Sequence, residues 1–331
     1  MTALARPVRI FALEEASFEW FGMLAGMQLD LFTPLDDGPL DAAELAARLG
    51  VNAEKLGLLL HALVVAGLLT VDEGRFGNAP EAAQFLVRGK PAYLGSVHTL
   101  WEEFSQACLR TAASVRTGVA QARHNYGEMT EKELYVTLGG LHPAGLAKGR
   151  ALAARYDFGA HRDVLDAAGG SGGVSIGVAE AWPDVRLTIA DLPGVVPVAR
   201  RFIAEAGAGE QISTLACDLV RESPPGRYDA AILSLLIQVL APAEARAALC
   251  NIARALRRGG TAYLLNAVLD DTRLAPAPAA RLNVLMLNFY DHGQAYTEGE
   301  YRDWLAGAGF VDVTRDDDIA GNALIRARTA G

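Results

Sequence analysis

Cysteine is scarce in this chain. It occurs at only three of 331 positions, Cys108, Cys217 and Cys250, with no Cys-x-x-Cys pair and no histidine cluster nearby. That spacing argues against a disulfide framework or a cysteine-rich zinc site and suits reduced thiols in a cytoplasmic protein. A basic surplus is missing too. The net charge is -9 at pH 7, the opposite of what a protein needs to grip nucleic acid by neutralising phosphates. Long apolar runs are also absent. The longest, around residues 230–243, is interrupted by Ser234, Gln238 and Pro242 and is too short to cross a bilayer. Behind Arg6 and Arg9 the apolar stretch is broken by Glu14 and Glu15, which does not read as a secretion signal. What remains is 51% apolar and 21% charged, ample core-forming material, and 331 residues are enough for two domains or one large one.

The first ninety or so residues read as compact and helical. Residues 18–31 are amphipathic and end at Phe32-Thr33-Pro34. Asp41 with Glu44 forms a capping-box pattern before a helix that Gly50 stops. A second helix is expected over 53–69, then a hairpin over 70–76 turning at Gly74. This is a winged-helix order. Its second helix carries one cation, Lys55, too few donors for phosphates and base edges, so a dimer-forming role fits better than groove reading. Residues 91–156 read as helices interleaving Trp101, Phe104, Arg110, Arg123, His124, Tyr126, Tyr135 and His142. From residue 162 short apolar strands (164–166, 186–191, 212–217, 230–234, 261–266) alternate with helices such as 243–256, which Arg257-Arg258-Gly259-Gly260 is expected to end. That alternation predicts an α/β fold with a doubly wound parallel sheet whose ligands bind at the carboxyl ends of the strands. The expected division is a winged-helix domain over 1–95, a helical segment lining the substrate pocket over 96–160, and a Rossmann-like domain over 161–331.

The first of these strands runs into Asp166-Ala167-Ala168-Gly169-Gly170-Ser171-Gly172-Gly173. A turn that brings backbone N–H groups close to a ligand needs small residues, because a Cβ blocks the approach. The dinucleotide spacing GxGxxG is not met, since Ser175 stands where the third glycine would fall. Asp191 closes the second strand about twenty residues on, where a carboxylate can accept from both ribose hydroxyls. Asp218 follows the third strand, where an acceptor can meet an adenine amino group.

These segments, with Asp191-Leu192-Pro193, Cys217-Asp218-Leu219 and the stretch 252–260, resemble the small-molecule O-methyltransferases of the class I S-adenosylmethionine enzymes, the caffeate, acetylserotonin and hydroxyneurosporene type. The resemblance covers nearly the whole chain and implies a winged-helix dimerisation domain, a homodimer and S-adenosylmethionine as cofactor. The cofactor set it implies is Asp166, Gly169, Gly170, Gly172, Asp191, Leu192, Asp218, Leu219 and Ser234. The substrate walls it implies are Trp101, Phe104, Tyr126, Tyr135, His142, Asn288 and Tyr290. Ala168 stands where the family has its first glycine, a mild change on this reading.

The family's general base is a histidine after the fourth strand, and Gln238 occupies that place here. An amide takes no proton at neutral pH. The family's supporting carboxylates align with Arg281 and Ala295. These losses favour an acceptor that needs no deprotonation, a thioether sulfur before carbon or nitrogen, on a small acid that Arg281 would clamp. The methyltransferase acting on 4-methylthio-2-hydroxybutyrate in dimethylsulfoniopropionate synthesis is the specific candidate. Gln238, Arg281, Tyr126 and His142 are its catalytic set. The alternatives are O- or C-methylation of a secondary metabolite, with His142 or His124 as a relocated base for oxygen, and a ligand-sensing winged-helix regulator. Asp291-His292 alone makes a poor metal site, so no metal is expected. His61 and His98 read as structural.

Overall fold

A computed structural model describes residues 6–94 and 97–331, and the chain divides into two compact units, Met1–Glu102 and Glu103–Gly331. The first unit holds α1 (Val8–Gln28), α2 (Ala42–Leu49), α3 (Ala53–Val65), a hairpin of β1 (Leu69–Asp72) and β2 (Arg75–Asn78), and α4 (Pro80–Phe85). The boundary falls within α5 (His98–Cys108).

Asp41 and Glu44 form the expected capping box of α2, and Gly50 ends it at φ +68°. The helix expected over 53–69 stops earlier, at Val65, because Gly67 takes φ +74° and Leu69 opens the hairpin. Glu73 and Gly74 both have positive φ, the twist that a two-residue hairpin turn needs. Phe32, Leu45, Leu60 and Leu63 are buried in the unit's core. Helix α1 begins ten residues before the amphipathic segment. Its added residues are apolar on several sides, so periodicity does not mark them, and Val8, Ile10, Phe11 and Leu13 are exposed.

The second unit adds α6 (Thr111–Thr117), α7 (Glu131–Arg155), β3 (Asp163–Ala167), α8 (Gly173–Ala181), β4 (Arg186–Asp191), α9 (Val196–Glu205), β5 (Ile212–Ala216), β6 (Tyr228–Ser234), α10 (Pro242–Ala255), β7 (Leu256–Asn266), β8 (Val268–Leu269), α11 (Ala277–Phe289), β9 (Tyr296–Thr297), α12 (Glu298–Gly307), β10 (Phe310–Ile319) and β11 (Asn322–Thr329). Its main sheet has the order β10-β11-β7-β6-β3-β4-β5. The five expected strands form the parallel part, and one apolar core lies on each face. Strand order reverses between β3 and β6, which opens a crevice beyond their carboxyl ends.

Two features depart from the sequence reading. The sheet is mixed, because β11 runs antiparallel to β7 and β10 antiparallel to β11. The turn-forming Gly259-Gly260 lies inside β7, after α10 has already ended. Gly259 takes φ +71°, and a Cβ on Gly260 would meet the Asp229 carbonyl oxygen at 3.1 Å. The pair is therefore an irregularity in the strand where β7 crosses β6, and pairing shifts register there between Tyr228 and Ala230. Among the described residues no helix is long and apolar enough to cross a membrane.

Candidate cofactor and acceptor site

Beyond β3 the chain turns through three positive-φ residues, Ala168 (+58°), Gly170 (+57°) and Gly172 (+78°). A Cβ at Gly169 would lie 2.7 Å from the Asp166 carboxyl, and one at Gly172 would lie 2.8 Å from Ile189 Cδ1. Both positions therefore require glycine. Ala168 is not the mild change expected of it: a left-handed backbone costs an L-residue about 1 kcal/mol or more. Leu235, the first residue after β6, also sits at φ +61°. The two strands that flank the crevice thus both end in strained non-glycine residues, the kind of strain that collects at functional sites.

The loop is tied to β4 by Asp191. Its Oδ2 accepts from Gly170 N at 2.8 Å and its Oδ1 from Leu192 N at 2.7 Å. Asp166 accepts from the Ser175 hydroxyl at 2.6 Å, while its Oδ1 is buried without a partner. Burial is the main cause that pushes both carboxyls up, each to about 6. Asp218 follows β5, accepts from Val220 N and pairs with Arg221. Leu219 is buried in the core and Ser234 closes β6 half-buried. A tight glycine turn at a strand end, an unpartnered acid oxygen and acids at two more strand ends fit a nucleoside cofactor such as S-adenosylmethionine.

His142, expected among the catalytic groups, is engaged with this loop. Its Nδ1 meets the Ser171 hydroxyl at 2.9 Å and its ring stacks on Phe202 at 4.5 Å. Burial pushes its pKa down. It braces the glycine turn from α7.

A second cluster forms where the loop after α6 meets the end of α11. His124 N and Ala122 N donate to the Phe289 and Asn288 carbonyls. The His124 ring is buried, stacks on Phe289 at 4.0 Å and meets Tyr126 and Tyr290 edge-on at 6.1 and 6.5 Å. Phe104 completes the group against Phe289. The His124 Nε2–H donates to Glu103 Oε1 at 2.6 Å. Burial pushes the Tyr126 and Tyr290 phenols upward, the Glu103 charge adds to both shifts, and Asp191 adds to that of Tyr126. Tyr126 and Leu192 both pack against the buried cluster of Leu134, Leu138, Val195 and Val198. The aromatic group therefore adjoins the cofactor-side acids. A hollow of about 500 Å³, lined in part by Ser114, Val119, Tyr290, Asp291 and Gly293, lies beside it.

Gln238 is buried in the turn after β6, and its Oε1 accepts from Ala267 N at 3.1 Å. Gly293 backs onto it, since a Cβ there would fall 2.9 Å from the Gln238 carbonyl and 2.8 Å from Tyr290. Gln238 and Tyr290 are thus brought to one place.

Other expected site residues are employed elsewhere. Arg281 is exposed on α11. It lies two residues from inward-facing Ala279, about 200° around a helix, and so on the outward side of α11. Asn288 is fully buried and saturated by Thr111, Ser114 and Val284, so it bolts α11 to α6 and has no group to offer a substrate. Tyr135 is stacked on Phe202, with Arg201 over its ring at 3.8 Å. Trp101 packs on Trp20 in the first unit. Ala295 is sealed with Leu269 and Ala279, and Asp291 is taken up by Arg123 and Ala120 N. Glu103 and Phe289 were missed. Nothing local marks them, because their partners lie 21 and 165 positions away in His124.

Residues 22–88 match the O-methyltransferase dimerisation domain family, and residues 115–311 match the O-methyltransferase domain family. The chain is 32% identical over 298 residues to the 3-hydroxy-5-methyl-1-naphthoate 3-O-methyltransferase of Streptomyces sahachiroi, covering 88% of this chain and 86% of that protein. It is 31% identical over 310 residues to the acetylserotonin O-methyltransferase of Mus musculus, covering 87% and 79%. Among solved structures, PigF with SAH has a TM-score of 0.84 at 26% identity, covering 98% of this chain and 100% of PigF. Human N-acetylserotonin methyltransferase in complex with SAM has the same TM-score at 23% identity, covering both chains fully, and speaks for the fold.

Proposed function

We propose that this chain, which belongs to the O-methyltransferase family and is an S-adenosylmethionine-dependent methyltransferase, methylates a hydroxyl group on a small aromatic secondary metabolite. The observation that carries this reading is the ring cluster of Phe104, His124, Tyr126, Phe289 and Tyr290, whose Tyr126 feels the Asp191 charge and shares a packing cluster with Leu192. Flat apolar faces with a few polar groups suit a flat, hydroxylated acceptor. When bound, S-adenosylmethionine supplies an electrophilic methyl group. Gly169, Gly170 and Gly172 let the loop turn tightly over Asp166 and Ile189, and Asp191 and Asp218 would accept from the cofactor's ribose and adenine.

The thioether acceptor inferred from the sequence loses its two supports. It rested on the lack of a base, and His124 stands buried with a carboxylate partner. It also rested on a clamp for a small acid, and Arg281 lies in solvent. Labelled methyl transfer should be assayed on hydroxynaphthoates, simple phenols, an aromatic amine and 4-methylthio-2-hydroxybutyrate. Label on a phenolic oxygen is the expected outcome; turnover of the thioether alone would overturn the reading.

The enzyme is further proposed to act as a homodimer. Helix α1 exposes Val8, Ile10, Phe11, Leu13, Phe18 and Phe21, apolar surface that a second copy would cover. A ligand-sensing regulator of DNA is not favoured, because α3 carries a single cation, Lys55. A cytoplasmic home suits the three free thiols.

A further inference from the structure

We propose that His124 is the general base for the acceptor hydroxyl, with Glu103 as the residue that sets its tautomer; this rests on the hydroxyl-acceptor reading above. A carboxylate can only accept, so the hydrogen bond of 2.6 Å to Glu103 Oε1 places the ring proton on Nε2. Nδ1 is then the nitrogen with the free lone pair, and it makes no hydrogen bond among the described residues. The ring cannot swing away to use it elsewhere. Phe289 stacks on one face at 4.0 Å, and the backbone of His124 is tied to the Phe289 carbonyl at 3.0 Å.

The groups around the imidazole leave it the role. Glu103 comes from α5, Tyr126 from its own loop and Tyr290 from the end of α11. Both phenols are pushed to higher pKa, so they stay protonated near neutrality and have no free base form to offer. Arg123, the neighbour in sequence, is paired with Asp291 at 2.8 Å. Gln238 lies against Gly293, as Tyr290 does. The Ala267 N–H fixes which amide atom is the oxygen and leaves Nε2 as a donor only.

In the proton step the acceptor O–H bond breaks. The proton moves to His124 Nδ1 and the electron pair stays on the acceptor oxygen, which thereby becomes nucleophilic. The imidazolium charge is held by Glu103, as in other base-and-orienter pairs. After transfer the proton leaves to water and the ring returns to its Nε2–H form.

Two readouts test this without relying on turnover. Nitrogen-15 NMR of the labelled wild-type protein should show the His124 ring as the Nε2–H tautomer, and Glu103→Gln should shift that preference. With S-adenosylhomocysteine present, a bound nitrophenol below its own pKa should show the phenolate absorbance band in wild type and lose most of it in His124→Gln. In the kinetic arm, His124→Gln should lower kcat on an ordinary phenol by about 10²- to 10⁴-fold. The loss should be markedly smaller on a nitrophenol that is already ionised in solution, and S-adenosylhomocysteine binding should be unchanged. An Nδ1–H tautomer in wild type, an equal phenolate band in both proteins, or full activity of His124→Gln on ordinary phenols overturns the assignment. Failure of wild type to methylate any hydroxyl would instead defeat the acceptor reading, and the tautomer measurement would still stand apart from it.

Discussion

Gly149 of α7 lies so close to α8 that a Cβ added to it would fall 2.2 Å from the Val174 carbonyl oxygen. The contact is reciprocal: a Cβ on Gly177 would fall 2.6 Å from the Leu146 carbonyl oxygen. Two helix backbones thus touch directly, and the one that moves if they part is the helix that the cofactor loop leads into. Gly149→Ala should therefore cost about 1–3 kcal/mol of stability, as overpacking does, and also weaken cofactor binding. Gly145→Ala is the control. Its Cβ would meet Gly173 Cα at 3.5 Å, ordinary contact, so it should melt near wild type. Thermal melts with and without S-adenosylhomocysteine check both; a neutral Gly149→Ala would refute the close packing.

Ala168 offers a gain in stability. At φ +58° its methyl group opposes the backbone, while glycine adopts that region freely. Glycine also frees the unfolded chain, which offsets part of the benefit. Ala168→Gly should stabilise the protein by about 0.5–1 kcal/mol, read as a rise in urea midpoint with an unchanged slope. A loss of stability would show that the loop geometry at this residue is otherwise.

How far the sequence carried the reading depended on how local each feature is. The central parallel strands were visible because strands buried on both faces are continuous apolar runs, and residues 164–167 and 230–233 are buried throughout. Strand β10 was not, because Asp312, Arg315, Asp316, Asp317 and Asp318 mask an edge strand as a polar loop. The cofactor end was legible for the same reason of locality: Asp166 and the glycines are consecutive, and Asp191 follows at the next strand end. The acceptor end is assembled from α5, the loop after α6 and the end of α11, so no window of sequence contains it. Asn288 and Tyr135 read as pocket walls on residue type alone, and only the packing shows their polar atoms or faces already occupied.

The α1 face predicts its own disruption. Phe11 and Phe18 are 53% and 64% exposed, so charging them disturbs no buried core position within the chain. The double variant Phe11→Glu with Phe18→Glu should fold normally by circular dichroism and run at the mass of one chain by light scattering, where wild type runs at two. A dimer in the double variant would move the interface to another surface.

The two buried carboxyls give the site a pH dependence whose sign follows from their direction. Asp166 and Asp191 stand at about 6 when folded, against an ordinary 3.8. Between about pH 4 and 6 the folded protein therefore holds protons that the unfolded chain has released. The stability of the ligand-free protein falls as pH rises across that window, on the order of 3 kcal/mol for each group. Cofactor binding runs the other way. Hydroxyl donors favour the ionised form of Asp191, so binding should tighten as pH rises toward 6, by up to about tenfold per unit, then level off. Protons should be released on binding near pH 5.5, and calorimetry in buffers of different ionisation enthalpy would count them. Asp191→Asn should remove that step and weaken binding by about 1–3 kcal/mol. An affinity that is flat from pH 5 to 7.5 in wild type would mean that Asp191 does not accept from the cofactor, and that its two backbone hydrogen bonds are its whole role.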